Sequence, residues 1–291
     1  MFYQQLLNGL TVGSAYALIA LGYTMVYGII TLINFAHGEI FMVGAFVGLA
    51  LAIFFKANIF VTIIGAMVAC MLLGVVVEKI AYRPLRRSSR LSALISSIGV
   101  SIFLSTLVQL IRGPQTTNYP TNIIQNSMYH LGSIQISKLQ VMMILISALL
   151  MLGLHLIVKY TKIGKAMRAV SQDYDAASLM GININQVISF TFAVGSALAA
   201  AGGVLVGIYF NAVAPLMGLS AGLKAFSAAV LGGIGSIPGA MLGGVILGIA
   251  EITAIALGKS SYTDAIAFSI LLLVLLIKPT GLLGRPIQRK V

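Results

Sequence analysis

Six carboxylates stand in the chain, Glu39, Glu78, Asp173, Asp175, Glu251 and Asp264, beside three histidines, His37, His130 and His155. Acid–base catalysis needs two titratable groups within reach of one proton, and a metal site needs several ligands at close spacing. No pair of carboxylates has the spacing of a metal site or an acid–base dyad, and the histidines are too scattered to form a ligand cluster. His37 and Glu39 would be the reactive pair of a membrane enzyme, but no partner constellation supports them. Gly258-Lys259-Ser260 resembles the end of a phosphate-binding loop, yet Thr253 stands where the first glycine is required and no strand plausibly precedes it. The ionisable groups that remain lie in or beside apolar runs, where a charge is read by default as functional; this lifts Glu39 and Glu251 as positions on a pathway.

The elements that must carry these groups follow from composition. Of the 291 residues, 59% are hydrophobic and 8% charged, and the mean hydropathy is +1.04. A soluble domain carries roughly 25% charged residues, so this chain is an integral membrane protein. A bilayer core of ~30 Å takes about 20 helical residues, and lipid leaves only helices or a closed barrel as spanning structures. Runs such as 266–277 are apolar on every side rather than alternating, which selects helices. The single cysteine, Cys70, excludes a disulfide framework and reads as a packing residue. Residues 1–10 lack a basic region and a cleavage site, so they begin the first span rather than a removable signal.

Spans are predicted at 9–31, 38–55, 59–79, 92–111, 139–159, 187–210 and 262–278, with an irregular membrane-embedded region at 222–257. The expected fold is an all-α polytopic bundle forming one domain over 1–291, with about eight transmembrane segments. The formal charge of +12 does not point to nucleic acid, because the basic residues cluster beside helix ends. The clusters are Lys79, Arg83, Arg86, Arg87 and Arg90; Lys159, Lys162, Lys165 and Arg168; and Lys278, Arg285, Arg289 and Lys290. The positive-inside rule puts all three in the cytoplasm, which leaves 112–138 outside as a loop. Parity then requires 222–257 to cross twice or to re-enter, and the sequence leaves both open.

Two segments interrupt the apolar rhythm, Asn34-Phe35-Ala36-His37-Gly38-Glu39 and Leu231-Gly232-Gly233-Ile234-Gly235-Ser236-Ile237-Pro238-Gly239. Broken helices at membrane depth are tolerated where protein or a water-filled cavity receives the freed backbone, and in transporters they mark the path. The candidate pathway positions are therefore Asn34, His37, Glu39, Ser96, Ser97, Gly233, Gly235 and Ser236. A tight interfacial turn is the other reading of 34–39, and helix packing the stronger one for Ser96 and Ser97. Glycines at four-residue spacing, among them Gly9/Gly13 and Gly244/Gly248, predict close helix contacts.

Between the fifth and sixth spans lies a basic-side loop over 160–186. In it Asp173 and Asp175 suit the start of a short helix and Gly181 its stop. Ala176, Ala177 and Ser178 would give that helix a small-residue face for another protein, although a solvated connector would look the same.

Asp175-Ala176-Ala177 followed by Gly181 resembles the EAA-x-x-x-G loop of ABC import permeases, with Asp in place of Glu and no Leu-Pro after the glycine. Asn34 to Glu39 with Gly44, Gly164-Lys165-Ala166-Met167-Arg168-Ala169, and Leu231 to Ala240 resemble the branched-chain amino acid permeases of that class, from the first span to the last. The resemblance implies the permease subunit of a binding-protein-dependent importer in a bacterial inner membrane. Its cargo would be leucine, isoleucine or valine, with urea or short-chain amides as the alternative and a stand-alone secondary transporter or channel as the rival. It implies a second related permease, two ATP-binding cassette subunits, an extracytoplasmic amino-acid-binding protein and membrane lipid as partners. ATP and magnesium would be held by the ATPase subunits and no cofactor by this chain. The coupling loop would comprise Gly164, Arg168, Asp173, Asp175, Ala176, Ala177 and Gly181.

Overall fold

The computed structural model describes residues 2–86, 88–120, 127–131 and 134–284. Arg87, Arg285, Arg289 and Lys290 of the basic clusters lie outside the described residues. The order is α1 (Phe2–Ile30), α2 (Ala36–Phe54), α3 (Ile59–Val77), α4 (Arg90–Arg112), β1 (Met128–Leu131), β2 (Ile134–Ser137), α5 (Lys138–Tyr160), α6 (Lys162–Gln172), α7 (Tyr174–Leu179), α8 (Ile184–Tyr209), α9 (Met217–Gly232), α10 (Ile237–Ala256) and α11 (Thr263–Ile277). Among the described residues seven helices are long and apolar enough to cross a bilayer, and α9 and α11 are shorter apolar helices. The protein is thus a multi-pass helical membrane protein, and the predicted spans fall on α1 to α5, α8 and α11.

Polar residues between the apolar runs set where helices start. Asn58, Ser89, Thr161, Asn183 and Ser236 each accept a first-turn backbone N–H at the start of α3, α4, α6, α8 and α10, and Ser137 with Gln140 makes a capping box for α5. No side-chain cap serves α2 or α9. Their starts are different in kind, because they lie inside the bundle.

α1 is the central helix and is almost wholly enclosed, whereas α4 and α5 leave most of their apolar surface outward. α10 runs antiparallel along α1 on a small-residue seam. A Cβ at Gly13 would sit 2.8 Å from Val245 Cα, and one at Gly248 would overlap the backbone of Gly13. This is the close backbone approach that small residues permit where lipid supplies no hydrophobic drive. The 112–138 loop also carries an unforeseen antiparallel hairpin, with Met128 opposite Ser137 and Leu131 opposite Ile134. Gln135 N donates to Gln4 Oε1 at 2.9 Å, so the hairpin sits on the start of α1 at the end opposite the basic loops.

Region 222–257 is not irregular: α9 and α10 are regular helices joined by a turn at 233–236. The turn lies beside Gly28, at the basic end of α1, and α10 returns past Gly13 and Gly9 to the opposite end. The hairpin therefore crosses rather than re-enters from the far side.

Candidate coupling and translocation site

The first break lies at 31–35, slightly earlier than the sequence indicates, and the 36–39 stretch is the first turn of α2. Thr31 takes φ 51°, a left-handed conformation unusual for a β-branched residue, and the chain turns back into the bundle. His37 then packs into the space left by Gly22 of α1, about 12 Å along the helix axis from Ile30 at 1.5 Å per residue. That depth rejects the reading as an interfacial turn.

Asn34, His37 and Glu39 are each 2% exposed or less, so the three polar groups are enclosed by protein. Asn34 Oδ1 accepts from Tyr82 Oη at 2.8 Å. His37 stands edge-on to Tyr23 with ring centroids 4.8 Å apart. Ser101 Oγ on α4 donates to Glu39 Oε1 at 3.3 Å. Glu39 Oε2 packs against Gly218, the second residue of α9, and among the described residues it has no hydrogen-bond partner; nor has His37 Nε2. Gly38 approaches Gly222 so closely that a Cβ on either would come within 2.9 Å of the other's Cα. The first turns of α2 and α9 thus converge on one carboxylate, and the positive ends of two helix dipoles face it.

Ser96 does not join this group, and Ser97, fully buried, reaches it only through the Tyr82 hydroxyl that binds Asn34. Ser96 Oγ donates to Ala81 O at 3.1 Å, a carbonyl in the π-helical turn Glu78–Tyr82, and Ser97 Oγ to Leu94 O at 2.7 Å. Gly233, Gly235 and Ser236 are likewise remote from it. Gly233 (φ 105°) and Gly235 (φ 91°) form the turn at the basic end, and the Ser236 hydroxyl is used to cap α10. Leu282 N and Leu283 N donate to Leu231 O and Gly232 O, which closes the end of α9 with the tail. Gly235 lines an open basic-end pocket with Thr24, Gly28, Met167, Arg168 and Ser171.

The 160–186 loop has the predicted short helix. Asp173 Oδ1 accepts from Asp175 N and Ala176 N at 3.0 Å, and Gly181 (φ 79°) ends α7. Gly164 packs on the last carbonyls of α5, leaving no room for a side chain, and Arg168 Nη1 donates to Val158 O and to Lys159 O. One expectation is corrected. Ala177 faces inward at 4% exposure, so the small residues do not make one outward face. What α7 presents is Asp175, Ala176 and Ser178 followed by Leu179 (88% exposed) and Met180 (82% exposed). These are two large apolar side chains exposed beside charged residues, on a loop outside the apolar helices.

Sequence reasoning passed over several functional groups. Lys224 on α9 binds Glu251 at 2.7 Å and Asp264 at 2.9 Å, and Tyr16 Oη donates to Glu251 at 2.8 Å, joining α1, α9, α10 and α11. A lysine within an apolar helix was signal enough. Tyr82 and Tyr174 were also missed, and Glu78, fully buried, takes Arg86 and the Ser189 hydroxyl.

A helical bundle with an internal helix break and a protruding apolar-tipped loop has the build of a transport permease. Residues 5–275 match the family described as branched-chain amino acid transport system / permease component, and the chain belongs to that family. It is 46% identical to the high-affinity branched-chain amino acid transport system permease protein LivH of Salmonella typhimurium, over 100% of this chain and 98% of that one. It is 45% identical to the corresponding permease protein BraD of Pseudomonas aeruginosa, again over 100% and 98%. Among solved structures, PsaBC from Streptococcus pneumoniae in complex with Fab shares the fold with a TM-score of 0.52 at 14% identity, covering 96% of this chain and 93% of that one.

Proposed function

We propose that this chain is the permease subunit of a binding-protein-dependent ABC importer that carries branched-chain amino acids across a bacterial inner membrane into the cytoplasm. The observation that carries this reading is end-to-end likeness, at 46% and 45% identity, to permeases named for high-affinity transport of those amino acids. The relatives are transport proteins rather than enzymes, consistent with the lack of a catalytic constellation in the sequence. The partners are a second related permease, two ATPase subunits that hold ATP and magnesium, and a binding protein on the far side.

The basic end is the cytoplasmic one, by the distribution of Arg83, Arg86, Arg90, Lys159, Lys162, Lys165 and Arg168. There α7 docks into the ATPase through Leu179 and Met180. Coupling requires the ATP-bound partner to bind two permease conformations with different affinity. Asn34, His37 and Glu39 line the step at membrane depth, and Gly235 borders the cytoplasmic exit. The apolar surroundings suit a zwitterion with an aliphatic side chain.

The test is radiolabelled leucine uptake into proteoliposomes holding the permeases and ATPase subunits, with binding protein outside and ATP inside. Excess isoleucine and valine should suppress uptake, while urea and acetamide should leave it unchanged. Suppression by the amides would reassign the cargo. Uptake by this chain without ATPase subunits would contradict the importer.

A further inference from the structure

Segment 31–35, the break that sets α2 at its depth, is held between two tyrosine hydroxyls from other elements, one on the last turn of α1 just before it and one on Asn34 within it. On one side Tyr174, the first residue of α7, donates to Ile29 O at 2.9 Å. On the other, Tyr82 donates to Asn34 Oδ1 at 2.8 Å. The two phenols belong to parts of the molecule with different attachments. Tyr82 ends the π-helical turn Glu78–Tyr82, and π-turns of this kind recur at functional sites. That turn is fastened to α8: Glu78 accepts from Ser189 Oγ at 2.6 Å and pairs with Arg86, which donates to Asn185 Oδ1 at 2.6 Å. Tyr174 instead begins the six-residue helix that carries Leu179 and Met180 outward. Burial raises the Tyr174 phenol above its ordinary range, with the Arg86 guanidinium opposing, so the donor keeps its proton at neutral pH.

The gripped segment borders a narrow apolar crevice on the α9 side, lined by Tyr23, Tyr27, Ile33, Phe226, Ala229 and Ile234. Thr31 holds a left-handed conformation that an extended or helical alternative would relieve.

We propose that Tyr174 and Tyr82 are positioning residues that stretch segment 31–35 between a moving point on α7 and a fixed point on the α3–α8 frame. A displacement of α7 is then delivered to the first turn of α2, where His37 and Glu39 meet the start of α9. This deepens the importer reading and rests on it, since α7 must be the element the ATPase moves.

The experiment uses the assembled importer in proteoliposomes. Tyr174→Phe removes one hydroxyl and keeps the ring. ATPase subunits should still co-purify and basal hydrolysis should persist, while leucine taken up per ATP falls roughly fivefold, the factor that one hydrogen bond carries. Tyr82→Phe should fall to the same level and the double variant no further, because both bonds serve one segment. Unchanged uptake per ATP in either single variant, or additive losses in the double, would overturn the proposal.

A second measurement covers the case in which a tyrosine variant fails to assemble. In a Cys70→Ser background, a cysteine at Ile33 should react with a water-soluble maleimide at different rates in nucleotide-free and vanadate-trapped complexes. Equal rates with both tyrosines present would also overturn it. The charged variant Leu179→Asp/Met180→Asp separates the two layers of the argument. If it keeps its ATPase and its uptake, α7 is not the docking element and the relay fails with it; if it sheds the ATPase while Tyr174→Phe couples fully, only the relay fails. The importer reading fails only if this chain takes up leucine without ATPase subunits.

Discussion

Lys224 pairs with Glu251 and Asp264 from two other helices, and Tyr16 donates to Glu251; Lys224 and Glu251 are largely enclosed while Asp264 is 61% exposed. Removing the ammonium strands the enclosed Glu251 carboxylate while the exposed Asp264 stays screened, so the loss falls below the ~3–5 kcal/mol of a fully buried pair. Lys224→Met should therefore lower the thermal unfolding midpoint of the purified protein, and adding Glu251→Gln should recover part of the loss, read by a thiol-reactive or scattering melt. Equal midpoints would show that the network is ornamental. Glu39 is a different case, since its Oε2 has no partner among the described residues and so stabilises little. Glu39→Gln should leave assembly intact and slow leucine uptake severalfold; full uptake would remove Glu39 from the path. That Glu39 stands apart was legible because it interrupts an apolar run, and the structure shows it enclosed, whereas Lys224 went unread inside a stretch taken as irregular. Which carboxylate a lysine reaches across forty residues of sequence is set by helix packing, not by spacing.

At the scale of elements, the glycines divide by what lies beside them. A Cβ at Gly248 would overlap the backbone of Gly13, whereas at Gly153 on α5 nothing lies within 4 Å. Gly248→Ala should force α1 and α10 apart and lower stability, while Gly153→Ala should be neutral or raise it by up to about 1 kcal/mol through helix propensity. Thermal melts of the two variants give the comparison, and equal losses would show that the seam is not a close contact. The four-residue glycine pattern announced such seams without saying which helices share them. In the coupling loop, Asp173 and Gly181 fixed both ends of α7, because capping is local chemistry. Its rotation was not legible: a six-residue helix turns on tertiary contacts, and these put Ala177 inward and leave Leu179 and Met180 outward.

For the whole molecule, hydropathy placed six of the seven long apolar helices, missing α10 inside the stretch read as irregular, and the clustering of basic residues set one end apart from the other. They could not reveal that α2 and α9 begin inside the bundle, since depth depends on how far the 31–35 segment turns back and on what holds it. The turn-rich 210–216 connection behaves similarly, held by a two-way backbone bridge between Thr117 and Val213, each donating to the other at 2.9 Å. The result is a frame in which a lever at one end can reach a helix break at depth. The most direct measurement is ATP-driven leucine uptake by the assembled complex with Leu179→Asp/Met180→Asp against the unaltered chain, each scored for bound ATPase. The account predicts that the altered chain inserts and stays folded but loses both the ATPase and uptake. Undiminished ATP-driven uptake from that variant would contradict it.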